Sequence, residues 1–259
     1  MKRVLVASCQ ENLLSTITMV LKQWGYRTTG SCQHEELREL VDTVGPQLIV
    51  LDENWLSQQD TDSRTALLAH LEANPAHLAL ISSDDAPAAE IHRPHHILPS
   101  PVDIFSLYSL TQNLLENHPR RNFRTSVNLP VMFRRQGRGW ELARIDTLGT
   151  GGMFIKTGFR LTPNEILTLC VPLYGMKEEL EMVGQVVYIV EPTPENNYMQ
   201  GYGIAFAGVD GKNAEMLNNY LENLFFNRVD EADGNRQLFD PSDLRRQPSC
   251  PLPSLAVGD

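Results

Sequence analysis

Leu48-Ile49-Val50-Leu51 is an unbroken apolar run, preceded by the breaker Gly45-Pro46 and followed at once by Asp52. Such a run has no polar face to offer water. As a strand it must be covered on both sides, which is the situation of strands in parallel sheets flanked by helices. The segments around it agree. Val4–Ala7 is another buried strand, and Glu11–Trp24 sets Leu13, Leu14, Ile17, Val20, Leu21 and Trp24 at the spacing of one helix face before Gly25 ends it. Arg27–Ser31, Leu78–Ile81 and Ile97-Leu98 read as strands, and Glu35–Val44, Thr65–Leu71 and Ile104–Leu115 as helices. With a fourth helix around Pro87–Ile91, residues 1–118 become a five-stranded parallel α/β domain with five helices.

From about Arg121 the texture changes to strands joined by Gly-rich turns: Ser126–Phe133, Trp140–Ile145, Met153–Lys156, Ile166–Val171, Leu180–Val190 and Gly203–Phe206. Alternation along several of them predicts an antiparallel β-barrel with one wet face. The helix Asn213–Phe226 follows, with Met216, Leu217, Tyr220, Leu221, Leu224 and Phe225 on one stripe, fit to cover a barrel end. Residues 119–228 thus form a second domain, and residues 229–259, rich in Asp, Asn, Arg, Pro and Ser without periodicity, read as a disordered tail.

Charge narrows the partners. The net charge of −10 argues against nonspecific binding to DNA or to an anionic membrane, which repel it, and no apolar stretch is long enough for membrane insertion. Cys9, Cys32, Cys170 and Cys250 are scattered with no CxxC pair, so they read as reduced thiols of a cytoplasmic protein, with no metal. Within this acidic chain Arg120, Arg121, Arg124, Arg134, Arg135, Arg138 and Arg144 face only Glu141 as an acid over residues 119–144, and read as one local basic patch. His92, His95 and His96 lack a carboxylate or cysteine close enough in sequence to complete a metal motif and read as a surface loop.

The first domain resembles a response-regulator receiver, on the strength of Val4–Ala7, the Gly25-Tyr26 turn and Pro46-Gln47-Leu48-Ile49-Val50-Leu51-Asp52. The resemblance implies that Asp52 stands at the phosphoacceptor position. Phosphoryl transfer to a carboxylate needs a divalent cation, and the cation needs oxygen ligands, usually anionic. The family's acidic pair is replaced here by Ser8 and Cys9, and its Lys by Ser100 before Pro101, while the hydroxyl position survives as Ser82. Asp52 then reads as a strand-end residue that caps a turn or pairs locally, and the domain as a pseudo-receiver serving as scaffold or docking surface. The family implies self-association, a homodimer through this domain.

The second domain opens with Arg120-Arg121-Asn122-Phe123-Arg124, an RxxxR spacing, and continues to Ile145-Asp146-Thr147-Leu148-Gly149-Thr150-Gly151-Gly152-Met153-Phe154 and Gly201-Tyr202-Gly203-Ile204-Ala205-Phe206. These stretches resemble the PilZ domain, a small barrel with a terminal helix that in many bacteria binds cyclic di-GMP. Arginine suits a cyclic dinucleotide, because its planar fork meets phosphate or a guanine edge and its face stacks on a base. By resemblance Arg120 and Arg124 are ligand-binding candidates with Arg121 as helper. The family's second motif, Asp or Asn, any residue, Ser, two more and Gly, fits in two registers: from Asp146 to Gly151, or from Thr147 through Gly149 to Gly152. The inward pattern of Ile145 and Leu148 favours the second; either way the motif is incomplete.

Two readings remain open: a non-enzymatic PilZ-type signalling effector whose partner contacts answer to cyclic di-GMP, or a ligand-independent adaptor that works through protein partners, as in motility. The alternative is a phosphorylation-driven response regulator using Asp52. The chain lacks the Ser/His/Asp, Cys/His and paired-carboxylate patterns of catalysis, and no cofactor is expected.

Overall fold

A computed structural model of the chain describes residues 1–58, 60–82, 91–176, 179–196, 198 and 200–233. It falls into two compact units, the first made of Met1–Arg120 with, among the described residues, 229–233, and the second of Arg121–Arg228.

The first unit is a five-stranded parallel sheet in the order β2-β1-β3-β4-β5. Its strands are β1 (Arg3–Ala7), β2 (Arg27–Ser31), β3 (Leu48–Asp52), β4 (His77–Ser82) and β5 (His96–Pro99). The apolar run dictates the centre: every residue of β3 is buried, with β1 on one side and β4 on the other. Helix α1 (Glu11–Gln23) buries Leu13, Ile17, Val20 and Leu21 along one stripe, and α2 (His34–Val44) buries Leu37 and Val41. The short α3 (Glu53–Ser57) was not expected from the sequence; it follows β3 directly because Asp52 caps it, and it inserts Trp55, whose indole N–H donates to the Cys32 carbonyl at 3.0 Å.

Helix α4 (Thr61–Ala73) begins four residues earlier than its apolar pattern does, because Asp60 accepts from the Ser63 backbone N–H and caps it; those bonds lower the Asp60 pKa. Helix α5 (Ile104–Leu115) is capped by Asp103 in the same way. The helix expected around Pro87–Ile91 lies, but for Ile91, outside the described residues. Beneath α5, burial and the neighbouring Glu116 push the Tyr26 hydroxyl up to about 12.

The second unit is a closed antiparallel barrel in the order β10-β11-β8-β7-β6-β9. Its strands are β6 (Arg124–Arg135), β7 (Trp140–Gly149), β8 (Gly152–Lys156), β9 (Ile166–Val171), β10 (Leu180–Val190) and β11 (Gly201–Ala207). Alternate residues such as Leu129, Val131 and Phe133 of β6, or Leu167, Leu169 and Val171 of β9, fill the interior. Helix α6 (Gly211–Asp233) is tied to the barrel near both ends: Asn213 Nδ2 donates to the Glu181 carbonyl at 2.9 Å, and Arg228 reaches the start of β6. Helix α6 runs on past Phe226 to Asp233. Residues 229–233 of the expected disordered tail are therefore helical, and the rest of it lies outside the described residues. No described helix is long and apolar enough to cross a membrane.

Candidate ligand-binding site

Asp52 closes β3 at the point where the strand order reverses between β1 and β3, the place where open parallel sheets form their sites. Its carboxylate is enclosed. Asp52 is 1% exposed; Oδ2 accepts from Ser8 Oγ at 2.7 Å and Oδ1 from the Asn54 backbone N–H at 3.0 Å. Ser8 is fully buried and its Oγ also accepts from the Gln10 N–H at 3.1 Å. Two neutral donors replace water around this carboxylate, and what it does in the fold is cap α3. Ser100 follows β5 and is joined to Pro101 by a cis peptide bond.

The barrel candidates come together differently. Ile145 and Leu148 are both fully buried although three residues apart. A regular strand changes face at every residue, so the pattern needs an irregular step. The ladder with β8 steps from Ile145↔Ile155 to Thr147↔Phe154, and the ladder with β6 from Leu129↔Ile145 to Ser126↔Thr147. Asp146 is the residue left over. The bulge places Asp146 and Thr147 in one open depression of about 480 Å³, with Ser126, Asn128, Arg144 and Phe154 beside them. The two registers read from the sequence are thus not exclusive in space: the same hollow holds the first residue of each.

Asp146 sits between cations, with Arg144 Nε at 3.2 Å from Oδ1 and Lys156 Nζ on Oδ2. Arg144 and Lys156 are direct cross-strand partners, so the carboxylate offsets a like-charge pair, and the cluster keeps one net positive charge.

The arginine-bearing segment enters the barrel against the same hairpin. Arg124 pairs with Gly149, and the Thr150 N–H donates to the Phe123 carbonyl at 3.1 Å. A Cβ on Gly149 would stand 2.5 Å from that carbonyl oxygen, and one on Gly151 would overlap the Asn122 side-chain amide. Phe123 is buried and meets Phe225 of α6 edge-on at 5.5 Å. Arg228 completes the join, donating to Thr125 Oγ1 at 2.7 Å and to the Ser126 carbonyl. Gly149 pairs with Gly152 across the hairpin, so part of the second motif is spent on close backbone approach.

Arg121 and Arg124 are exposed in the barrel unit, whereas Arg120 falls in the first unit, where its backbone N–H donates to Gln112 Oε1 at 3.1 Å. The single basic patch expected from the sequence is divided. Arg124 and Arg134 stand at opposite ends of β6, about 33 Å apart at roughly 3.3 Å per residue. At the far end Arg135 is ion-paired with Glu141, whose hydrogen bond raises the guanidinium pKa further, and Arg134 lies over the Trp140 ring at 5.0 Å.

Sequence reasoning missed Phe154, which lines this hollow, Lys156, which pairs with Asp146, and Asn122 and Arg228, which fasten the arginine-bearing segment to the turn and to α6. For Lys156 a signal existed, since antiparallel pairing of the two strands sets it opposite Arg144; for Arg228, on the last turns of a helix, there was none. Among the described residues no group of His, Cys, Asp and Glu could hold a metal ion. In the histidine segment, Arg93 Nη1 donates to the carbonyl of Leu71 at 2.5 Å and that of Asn74 at 2.8 Å, tying the loop to the end of α4.

Residues 118–223 match the family model described as PilZ domain. Among solved structures, MotI/DgrA, the inhibitor of motility of Bacillus subtilis, is 16% identical with a TM-score of 0.37 over 43% of this chain and 53% of that one. The PilZ domain of YcgR from Escherichia coli, solved with c-di-GMP, is 17% identical with a TM-score of 0.37 over 46% of this chain and 99% of that domain. A CheY-like receiver domain from Methylobacillus flagellatus is 21% identical with a TM-score of 0.38 over 44% of this chain and 98% of that domain. The chain thus spans about half the length of MotI/DgrA. No curated protein matches it.

Proposed function

With residues 118–223 forming a PilZ domain, we propose that the chain is a non-enzymatic signalling effector that binds cyclic di-GMP on the outer barrel face at Asp146 and Thr147. Arg121 and Arg124 meet the phosphates or guanine edges, and Arg120 completes the RxxxR spacing. One observation carries this reading: the arginine-bearing segment is anchored directly on the glycine turn of the hairpin whose bulge sets Asp146 and Thr147 in one hollow. Two fixed motifs then converge from separate parts of the sequence. The preorganisation reduces the ordering cost of binding an anion that needs several donors at once.

Calorimetry of the full chain with cyclic di-GMP tests it. Saturable heat at tens of micromolar ligand is expected, and its absence sinks the proposal. Arg124→Ala should weaken binding by about tenfold or more, the size of one lost charge-assisted hydrogen bond.

The receiver unit, in the same proposal, is a scaffold that is not phosphorylated. Its support is the enclosure of Asp52 by Ser8 and Asn54. Incubation with acetyl phosphate and Mg²⁺ should leave the chain unlabelled; label lost in Asp52→Ala would reverse this.

A ligand-independent adaptor is the second reading. It is favoured by an exposed band at the far end of the barrel, where Met132 pairs with Leu142 and Arg134 with Trp140. Aromatic, Met and Arg side chains of this kind make up the cores of protein interfaces. A partner held equally by the parent and by an Arg120/Arg124 double alanine variant, but lost on Leu142→Asp, would decide for it.

A further inference from the structure

The far end of the barrel combines exposed apolar surface with cations that the fold does not use. The strand register sets Trp140, Arg134, Thr168 and Val183 in one row across β7, β6, β9 and β10, with Leu142 and Met132 beside it. Trp140 is 46% exposed and Leu142 64%. Next to the row lies an open depression of about 830 Å³, lined by Arg134, Arg135, Arg138, Glu165, Ile166 and Thr168, with Ile166 53% exposed. Its charges do not balance. Arg135 is ion-paired with Glu141 and has Glu165 at 3.9 Å, whereas Arg134 and Arg138 have no ion pair among the described residues. Both are nonetheless held in place. Arg134 lies over the Trp140 ring, a contact that leaves the N–H edge of its guanidinium available, and the turn that carries Arg138 is closed by its backbone N–H on the Arg135 carbonyl at 3.1 Å.

We propose that this end of the barrel docks an acidic segment of a partner protein that carries an apolar anchor side chain. This rests on the adaptor reading above and adds the chemistry of the partner. The apolar row supplies the core of the contact, since Trp, Met and Arg are side chains on which interfaces centre. The two unbalanced guanidiniums select the sign of what binds beside it. The net charge of −10 on the chain does not oppose this, because at physiological salt charges more than roughly 8 Å apart are largely screened and the segment meets the local cations. A second copy docked face to face would bring both pairs of guanidiniums into one interface, which costs affinity. The closed barrel offers no strand edge, so the segment is held through its side chains and not by strand addition.

Fluorescence anisotropy of the full chain with a labelled peptide of Asp and Glu residues interrupted by one Leu and one Phe tests it. Saturable binding is expected, about tenfold or more tighter than that of the same peptide with Lys in place of each acid. Trp140→Ala and Arg134→Glu should each weaken it about tenfold, the size of one interface anchor, with the melting temperature of Arg134→Glu unchanged. Should Trp140→Ala fail to fold, Arg134→Glu and Arg138→Glu decide. No saturable binding by the parent at about 1 mM acidic peptide overturns the proposal. A partner that is lost on Leu142→Asp but keeps its affinity for Arg134→Glu and Arg138→Glu overturns the acidic chemistry alone and leaves the adaptor reading standing, as does equal binding of the lysine peptide. A concentration-dependent dimer in sedimentation, abolished by Trp140→Ala, would overturn the proposal by assigning the face to a second copy.

Discussion

Two aspartates at strand positions, Asp52 in the parallel sheet and Asp146 in the barrel, meet opposite surroundings. Asp52 is sealed, with neutral donors on both oxygens. Asp146 is carried on a bulge, its side chain 25% exposed, with Arg144 and Lys156 as partners. A carboxylate satisfied by buried neutral donors is a structural element, because any reaction there must first open the packing and orphan its partners. One balanced by partly exposed cations can exchange those partners for a ligand at little cost to the fold. The two units thus place the same carboxylate chemistry in opposite surroundings, one enclosed and one partly open.

The contrast can be broken or sharpened by substitution. The largest effect should come from Phe123→Ala, which empties the site against Phe225 and should cost the barrel about 3 to 5 kcal/mol, read as a lower melting temperature together with loss of cyclic di-GMP binding. Asp52→Ala leaves the buried Ser8 hydroxyl and the Asn54 N–H without their acceptor. Denaturant titration should show about 2 to 3 kcal/mol lost, with ligand affinity unchanged. Affinity falling as much as stability would break the comparison. Arg228→Ala, which frees Thr125 and the Ser126 carbonyl, should destabilise by about 1 kcal/mol.

Asp146→Ala should stay within about 1 kcal/mol of the parent in stability, since its ion pairs are partly exposed, and should act on binding instead. The smallest effect is alkaline. The Tyr26 hydroxyl, held up to about 12, and the Cys170 thiol, pushed up to about 11 by burial and then by Glu179, keep their protons longer in the folded than in the unfolded chain. Their stabilising contribution is present in full below the ordinary values of these groups and is lost as pH rises through 11 to 12. At pH 8 Cys170 should accordingly resist alkylation while the exposed Cys32 reacts.

Periodicity made the strands, the main helices and the change of architecture near residue 120 legible, because each depends on which face of a local element is apolar. Three things were less legible. The β7 bulge was present only as a contradiction, two registers each with merit, since Ile145 and Leu148 violate strand alternation unless a residue is set aside. The basic patch was drawn as one because its arginines are neighbours in sequence, whereas a 12-residue strand separates them in space. The short α3 is not legible because Glu53–Ser57 is too brief to show a helical period; Asp52, read from the sequence as capping a turn, caps this helix instead.

Phe123 is fastened on both its side chain and its backbone. With its ring set against Phe225 and its carbonyl held by Thr150, it acts as an index mark for the chain on either side. The distance in sequence from this mark to Arg121 and to Arg124 becomes a phase, since adding one residue within the segment would shift an arginine relative to the turn without altering composition or charge. A sequence change that keeps every arginine but alters the count should therefore silence the site as thoroughly as removing them. The spacing of the motif then records where the chain is fastened.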